Sequence, residues 1–333
     1  MSREKSVAIF YEHPEWFKSL FSELERRGID YDRLIAHEHY FDPTERTCKY
    51  DLIVNRMSPS AFTRGHSQAI FYSLQYLAYL KEIQANVLNG YDAYVYEYSK
   101  ARQLSLLERL GLRYPRARVI NHASQALAAA KGLTYPVIIK PNIGGSGAKI
   151  VRFNTPEELE ATSKQGLIDL GIDQTGLVQE YLPAENNRIV RVEVLNGRYL
   201  YAIRLFLKPD EFNLCPADYC RTPGEAANGQ GFADGVSGRK VPVERYEPPS
   251  SVINDVLRIT KEAHIEVGGV EYLINSRDGQ PYYYDVNALS NFVADAQNVI
   301  GFDPVPKFVD YLQYRAGMRI QVMSQPSRSN RLS

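Results

Sequence analysis

Apolar positions along the first third of the chain follow two alternating periods. Ser6 to Tyr11 is a short, mostly apolar run that predicts a buried strand. From His13 to Gly28 the residues Phe17, Leu20, Phe21 and Leu24 fall at helical spacing, and Gly28 supplies the stop. Asp32 to Ala36 and Asp51 to Met57 read as two further strands. His66 to Ile83 places Ile70, Leu74, Leu77, Tyr79 and Leu80 on a longer helix. Asn86 to Leu88 is a brief strand, and a helix is expected from Ser99 to Leu110. Strands alternating with helices imply a parallel sheet with crossovers, a doubly wound α/β unit.

The pattern then changes. Pro136 to Lys140 is a β-branched run, a Gly-rich turn follows, and Lys149 to Phe153 returns, which predicts a hairpin. Thr155-Pro156-Glu157-Glu158 is a helix start, with a capping Thr, Pro at the first position and acids in the first turn. Leu177 to Tyr181 and Ile189 to Leu195 read as strands. Asn196-Gly197 is a hairpin turn, and Tyr199 to Leu207 is the returning strand. Pro209 to Pro249 is rich in Gly, Pro and polar residues and reads as a long, partly ordered loop. Ser251 to Val267 is helical, and the strands Val270 to Ile274 and Tyr282 to Val286 are joined by Arg277-Asp278-Gly279. The polar end, Ser324 to Ser333, is expected to be disordered.

Composition narrows the function classes. A chain of 333 residues exceeds one typical core, so about two or three packed units are expected. Lys plus Arg and Asp plus Glu each number 39, giving zero formal charge. Nothing global therefore favours nucleic acid or an anionic membrane, and neither is expected as a partner. No stretch approaches the ~20 apolar residues of a membrane span. The run Val7 to Tyr11 is too short for a signal-peptide core, so the cytoplasm is the expected location. Three cysteines, Cys48, Cys215 and Cys220, fit a reducing compartment and are read as plain free thiols. The pair His37-x-His39 is read as surface.

Three features can carry chemistry. Gly144-Gly145-Ser146-Gly147 lies between two strands, and successive glycines let backbone N–H groups approach an anion. Lys140 ends the preceding strand, where a cation can neutralise phosphate. The loop matches neither the P-loop nor the dinucleotide fingerprint, because no Lys-Ser or Lys-Thr follows the glycines and a strand follows the loop. By itself it is equally a structural Gly-rich hairpin. Asp285 and Asn287 stand two apart on a strand, so both face one way, and Glu271 on the preceding strand is placed to join them. Such oxygen ligands suit Mg²⁺ together with substrate phosphates, or a solvated strand end. The run Leu177-Val178-Gln179-Glu180-Tyr181-Leu182 can offer backbone groups to a purine edge. Arg56, Arg64 and His66 are candidates for a substrate carboxylate.

The order of these parts is more specific than any one of them. Lys100 on a helix, Lys140 with its GGSG loop, Gln179-Glu180-Tyr181, Arg191 and Arg204, then Glu271 and Asp285-x-Asn287 resemble the ATP-grasp superfamily. Within it, the chain is similar to the branch of ribosomal-protein glutamate ligases and lysine-biosynthesis ligases. The resemblance implies an N-terminal doubly wound parallel-sheet domain followed by an ATP-grasp fold, two α+β subdomains gripping ATP. The implied division is an N-terminal unit 1–98, linking helices 99–133, a lid 134–207, a C-terminal unit with the Mg²⁺ site 208–323 and a tail 324–333.

The resemblance also implies roles. Lys100 and Lys140 would hold the nucleotide phosphates, and Gly144, Gly145, Ser146 and Gly147 would close over them. Gln179, Glu180 and Tyr181 would border the adenine. Glu271, Asp285 and Asn287 would hold one or two Mg²⁺, with Mn²⁺ able to substitute. Arg204 would steady the transferring phosphoryl group or acyl phosphate, and Arg191 is a second catalytic candidate. Ile189 stands where the close branch has an Asp for the ribose, which leaves Glu185 as the acid on offer. The expected activity is an ATP-dependent carboxylate–amine ligase acting through an acyl phosphate on amino-acid or peptide substrates. A small-molecule kinase and a catalytically inactive nucleotide-binding regulator are the alternatives. Related enzymes are often homo-oligomers.

Overall fold

The computed structural model describes residues 6–145, 147, 149–206 and 242–318. Ser146, Cys215, Cys220, most of the loop expected from Pro209 and the tail from Ser324 lie outside the described residues.

The N-terminal unit is built from β1 (Val7–Tyr11), α1 (Lys18–Arg26), β2 (Tyr31–Ile35), β3 (Leu52–Arg56), α2 (Ser67–Glu82), β4 (Val87–Leu88) and α3 (Tyr91–Glu97). The strand order is β2-β1-β3-β4, all parallel. Alternation along β1 decides the packing. Val7, Ile9 and Tyr11 face the core that holds α1, while Ala8 and Phe10 face the core that holds α2. Both faces of the sheet are thus covered, as a doubly wound unit requires. A short 3-10 turn, Pro59–Arg64, follows β3 and is capped by Ser58, whose hydroxyl accepts from the Ser60 N–H.

Next come α4 (Lys100–Arg109), β5 (Ala117–Ile120), α5 (Ala126–Ala130), β6 (Val137–Pro141), β7 (Val151–Phe153), α6 (Pro156–Lys164) and β8 (Gly176–Glu180). The strands form an antiparallel sheet in the order β5-β8-β6-β7. Val137, Ile139 and Val178 pack under α5 and α6. The opposite face of β6, with Ile138 and Lys140, is turned away from those helices. Thr155 caps α6 as its sequence predicts, with its hydroxyl accepting from Glu158 N–H.

The remainder is β9 (Ala184–Leu195), β10 (Arg198–Phe206), β11 (Val243–Tyr246), α7 (Ser250–Glu262), β12 (Val267–Asn275), β13 (Pro281–Asn287), α8 (Ala296–Ile300) and α9 (Pro304–Arg315). Its antiparallel sheet runs β11-β10-β9-β12-β13. This redraws the expected division in two places. The hairpin β9–β10, assigned to the lid, pairs with β12 and β11 instead. The stretch expected to hold only linking helices contains β5, an edge strand of the lid sheet. Val243–Tyr246, expected within a loop, is a strand on β10.

The three units share walls. Residues of β1, α1, β9, β10 and α9 form one continuous apolar cluster. Arg27 at the end of α1 donates to Asp310, Gln313 and the Pro306 carbonyl of α9. Among the described residues no helix is long and apolar enough to cross a membrane.

Candidate active site

The two lysines singled out in the sequence meet because one asparagine ties α4 to the end of β6. Asn142 Oδ1 accepts from Ser99 Oγ at 3.0 Å and from Ala101 N–H at 2.9 Å, and its carbonyl accepts from Lys100 N–H at 3.3 Å. Lys100 Nζ then reaches Asp285 Oδ1 at 2.9 Å. Lys140 is buried, and no described residue forms an ion pair with it. Burial, and then the neighbouring Lys100 charge, push the Lys140 ammonium down to about 7, against the pull of Asp285 and Glu271.

The acids are positioned by register. Glu271 on β12 pairs directly with Asp285 on β13, and Arg191 on β9 pairs with Glu271 from the other side. All three project from one face of the sheet. Asn287 donates to Asp285 Oδ2 at 3.2 Å. Burial pushes Glu271 up, and the adjacent Asp285 charge adds to the effect; Arg191 pulls the other way and loses. For Asp285 burial also pushes up, but Lys100, Lys140 and the Asn287 hydrogen bond together hold the carboxyl below its ordinary value. Arg191 donates to Glu193 at 2.6 Å and to Glu271 at 3.3 Å. Burial works against its charge, yet those two acids hold it well above the usual value.

Arg204 is not part of this constellation. A register shift between Tyr199 and Tyr201 sets Arg191 opposite Ile203, and Arg204 opposite Val190. Arg204 therefore projects from the other face, where it donates to Glu244 at 2.9 Å and lies 3.9 Å from the centre of the Tyr246 ring. The role expected for it in steadying a phosphoryl group does not fit that position.

The glycine loop reaches both neighbours. A Cβ on Gly144 would lie 3.8 Å from Lys100 Cε, and one on Gly145 would lie 2.7 Å from Ser60 Cβ. Gly145 is thus required bare by contact with the 3-10 turn of the N-terminal unit. Gly147 takes a positive φ of 70°. On the lid sheet, Gln179 is opposite Ile138, two residues before Lys140, and its Oε1 is buried without a hydrogen-bond partner among the described residues. Glu180 is tied into the lid itself, accepting from Thr134 N–H at 2.8 Å and lying 3.4 Å from Arg116. Tyr181 donates its backbone N–H to the Pro136 carbonyl at 2.9 Å, and its ring lies 4.4 Å from the Arg152 guanidinium. Glu185 is exposed near the start of β9.

Three conclusions about the family rest on comparison. A model described as the RimK-like ATP-grasp domain matches residues 98–214. Residues 98–214 are thus the part of the chain that is similar to a RimK-like ATP-grasp domain. The coenzyme gamma-F420-2:alpha-L-glutamate ligase of Methanococcus maripaludis is 24% identical over 176 residues, 51% of this chain and 59% of that protein. A probable alpha-L-glutamate ligase of Pectobacterium carotovorum is 24% identical over 289 residues, 85% of this chain and 82% of that protein. The chain thus spans only a little over half of the methanogen ligase. A solved structure of the ATP-grasp ligase PsnB with a minimal precursor superposes with a TM-score of 0.64 at 17% identity, covering 94% of this chain and all of that one. A second structure of that ligase contains the precursor, Mg and ADP. These likenesses show the ATP-grasp fold.

Within the ATP-grasp domain the sequence reading missed two supports. Glu97, ending α3, accepts from Ala288 N–H at 2.5 Å and Leu289 N–H at 3.1 Å, which fixes the chain just past Asn287. Burial raises it to about 7. Gln103 on α4 exchanges hydrogen bonds with both backbone groups of Val286, at 2.8 and 3.2 Å, and so locks β13 to the lysine-bearing helix. No sequence motif marks either residue, because each acts through a distant backbone. Of the three carboxylate-binding candidates, Arg64 and His66 are both bound to Glu12. His37 and His39 are half-buried rather than fully exposed: His37 stacks on His66 with centroids 3.7 Å apart, and His39 bonds the Tyr72 hydroxyl at 2.7 Å.

Proposed function

We propose that the chain is an ATP-dependent carboxylate–amine ligase acting on amino acids or peptides through an acyl phosphate. The observation that carries this reading is the set of Lys100 and Lys140 with Glu271 and Asp285, of which Lys140 and Glu271 are buried and Lys100 and Asp285 half-buried and paired. Two neighbouring ammonium groups repel each other and two adjacent carboxylates do likewise. A phosphate chain would relieve the first and a divalent cation the second, so the residues fit both groups. Lys100 and Lys140 would hold the phosphates, Glu271, Asp285 and Asn287 would hold Mg²⁺ or Mn²⁺, and Gln179 with the backbone near Tyr181 would border the base. Bound there, the cation supplies charge neutralisation of the phosphates.

The chain's own part is positioning and exclusion. Lys140 neutralises charge as it moves to the transferring phosphoryl oxygens. Arg191 hydrogen-bonds Glu271, holds it in place and opposes the upward push of burial on its carboxyl. The glycine loop, in which Gly145 lies against Ser60, would keep water from the activated acyl group. In the proposed reaction a carboxylate oxygen attacks the γ-phosphorus and ADP leaves. An amine then attacks the acyl carbon and inorganic phosphate leaves, giving the amide.

A phosphate-release screen over paired amino acids and short peptides, with Lys140→Ala as the blank, tests this. ADP and phosphate should appear together, and only when acid and amine are both present. ADP without phosphate would point to a kinase, and ATP binding with no turnover across the panel would point to a regulator.

A further inference from the structure

A cavity of about 370 Å³ lies between the start of α1 and the loop that follows β13, with the start of α9 closing it. Its wall contains an unusual concentration of unanswered polar atoms. Arg56 lines it and is only 3% exposed. One of its nitrogens, Nη2, donates to the Ser290 carbonyl, while Nε and Nη1 have no hydrogen-bond partner among the described residues. Trp16 Nε1 and Asn291 Oδ1, from two further lining residues, are buried and unpartnered as well.

Buried polar atoms are nearly always satisfied, and exceptions gathered in one cavity point to an absent partner. The guanidinium lies between the rings of Phe17 and Phe308, 5.4 Å from each centroid. Those rings orient it, but they leave its N–H groups unfilled. Burial lowers Arg56 to about 10, and the more distant Glu97 and Glu193 favour its charge without bonding it. A permanently charged, oriented donor group in a small cavity is what a carboxylate requires. The acceptor Asn291 Oδ1, and the carboxylates of Glu15 and Asp295 that also line the cavity, suit an amine on the same ligand.

We propose that this cavity binds one substrate of the ligase by a free α-carboxylate, held by Arg56 and Trp16 Nε1, with its amino group facing Asn291. The ligand is an α-amino acid, free or as the end of a peptide. This inference rests on the ligase reading for the word substrate, but the binding site can be tested without turnover.

Trp16 is the sole tryptophan of the chain, so its emission reports on the cavity. The full chain is titrated with the twenty standard amino acids, with their α-amides, and with tripeptides ending in free or amidated carboxyl groups. At least one free acid should shift Trp16 emission saturably, and its α-amide should bind at least thirtyfold more weakly. Arg56→Gln should abolish the response, and Arg56→Lys should restore part of it. Because Arg56 is buried, Asn291→Leu serves as a second variant, expected to weaken binding about tenfold while the thermal melt is unchanged. Response to tripeptides but not to free amino acids would assign the site to a peptide end. Equal binding of acids and amides, or no response to any free carboxylate, would overturn the proposal. ATP binding is measured in parallel: its loss with amino-acid binding intact would count against the ligase reading alone.

Discussion

At the scale of single residues, the site works by placing like charges together in a dry environment. Lys140 near 7 is poised between its two protonation states in the free protein. A phosphate beside it favours the charged form and raises its affinity for a proton. Binding of ADP without metal at pH 8 should therefore take up protons, and this uptake should vanish below about pH 6, where Lys140 is already charged. Calorimetry in two buffers of different ionisation enthalpy measures it, and Lys140→Met should remove it; equal heats in both buffers would contradict the assignment. The two arginines make a second residue-scale test. Arg191→Ala should lower turnover by about a hundredfold or more, since it removes the cation that hydrogen-bonds Glu271 and opposes its protonation. Arg204→Ala should change it by less than about threefold, because Arg204 is on the far face. Comparable losses from both substitutions would mean that the faces are assigned wrongly.

At the scale of elements, that assignment turns on one extra residue. Counting outward from the pair Leu195 and Arg198 at the turn, an unbroken hairpin would put Arg204 on the same face as Arg191. The irregularity between Tyr199 and Tyr201 inserts one residue into β10 and reverses every side chain beyond it. No composition signal marks that bulge, so the face on which Arg204 lies could not be read from the sequence. Elements with a strong local period were legible: β1, α2, the β6–β7 hairpin and the capped start of α6 all lie within a few residues of expectation. The seven-residue α3 and the half-exposed edge strand β5 carry too little pattern to read. By contrast α9, with Asp303 as cap and Pro304 at its first position, did carry a start signal that went unread. The glycine loop gives this scale its own prediction. Gly145→Ala drives a methyl into Ser60 and should lower turnover about tenfold, and adding Ser60→Gly should recover most of it. If the double variant stays as slow as the single one, the loop does not work against the 3-10 turn.

At the scale of the whole molecule, the parts read from sequence as a linear order become a cleft because three sheets converge. Lys140 comes from the lid, Lys100 from the helix before it, and Glu271 and Asp285 from the C-terminal sheet. The N-terminal sheet contributes Arg56 at the end of β3. Lys100 and Lys140 were legible since each sits near the end of its helix or strand with a recognisable neighbour, and Asp285 since Asn287 stands two residues on. Sheet membership was not, since β9 and β10 could pair with either sheet until their partner β12, more than sixty residues on, is placed. The central claim is that a carboxylate is activated by phosphoryl transfer and then captured by an amine. Once the screen has supplied an acid and amine pair, the acid is prepared with ¹⁸O in its carboxylate and the released products are analysed by mass spectrometry. The account predicts ADP together with inorganic phosphate carrying one ¹⁸O per turnover. Label in AMP, or phosphate retained on the product, would contradict it.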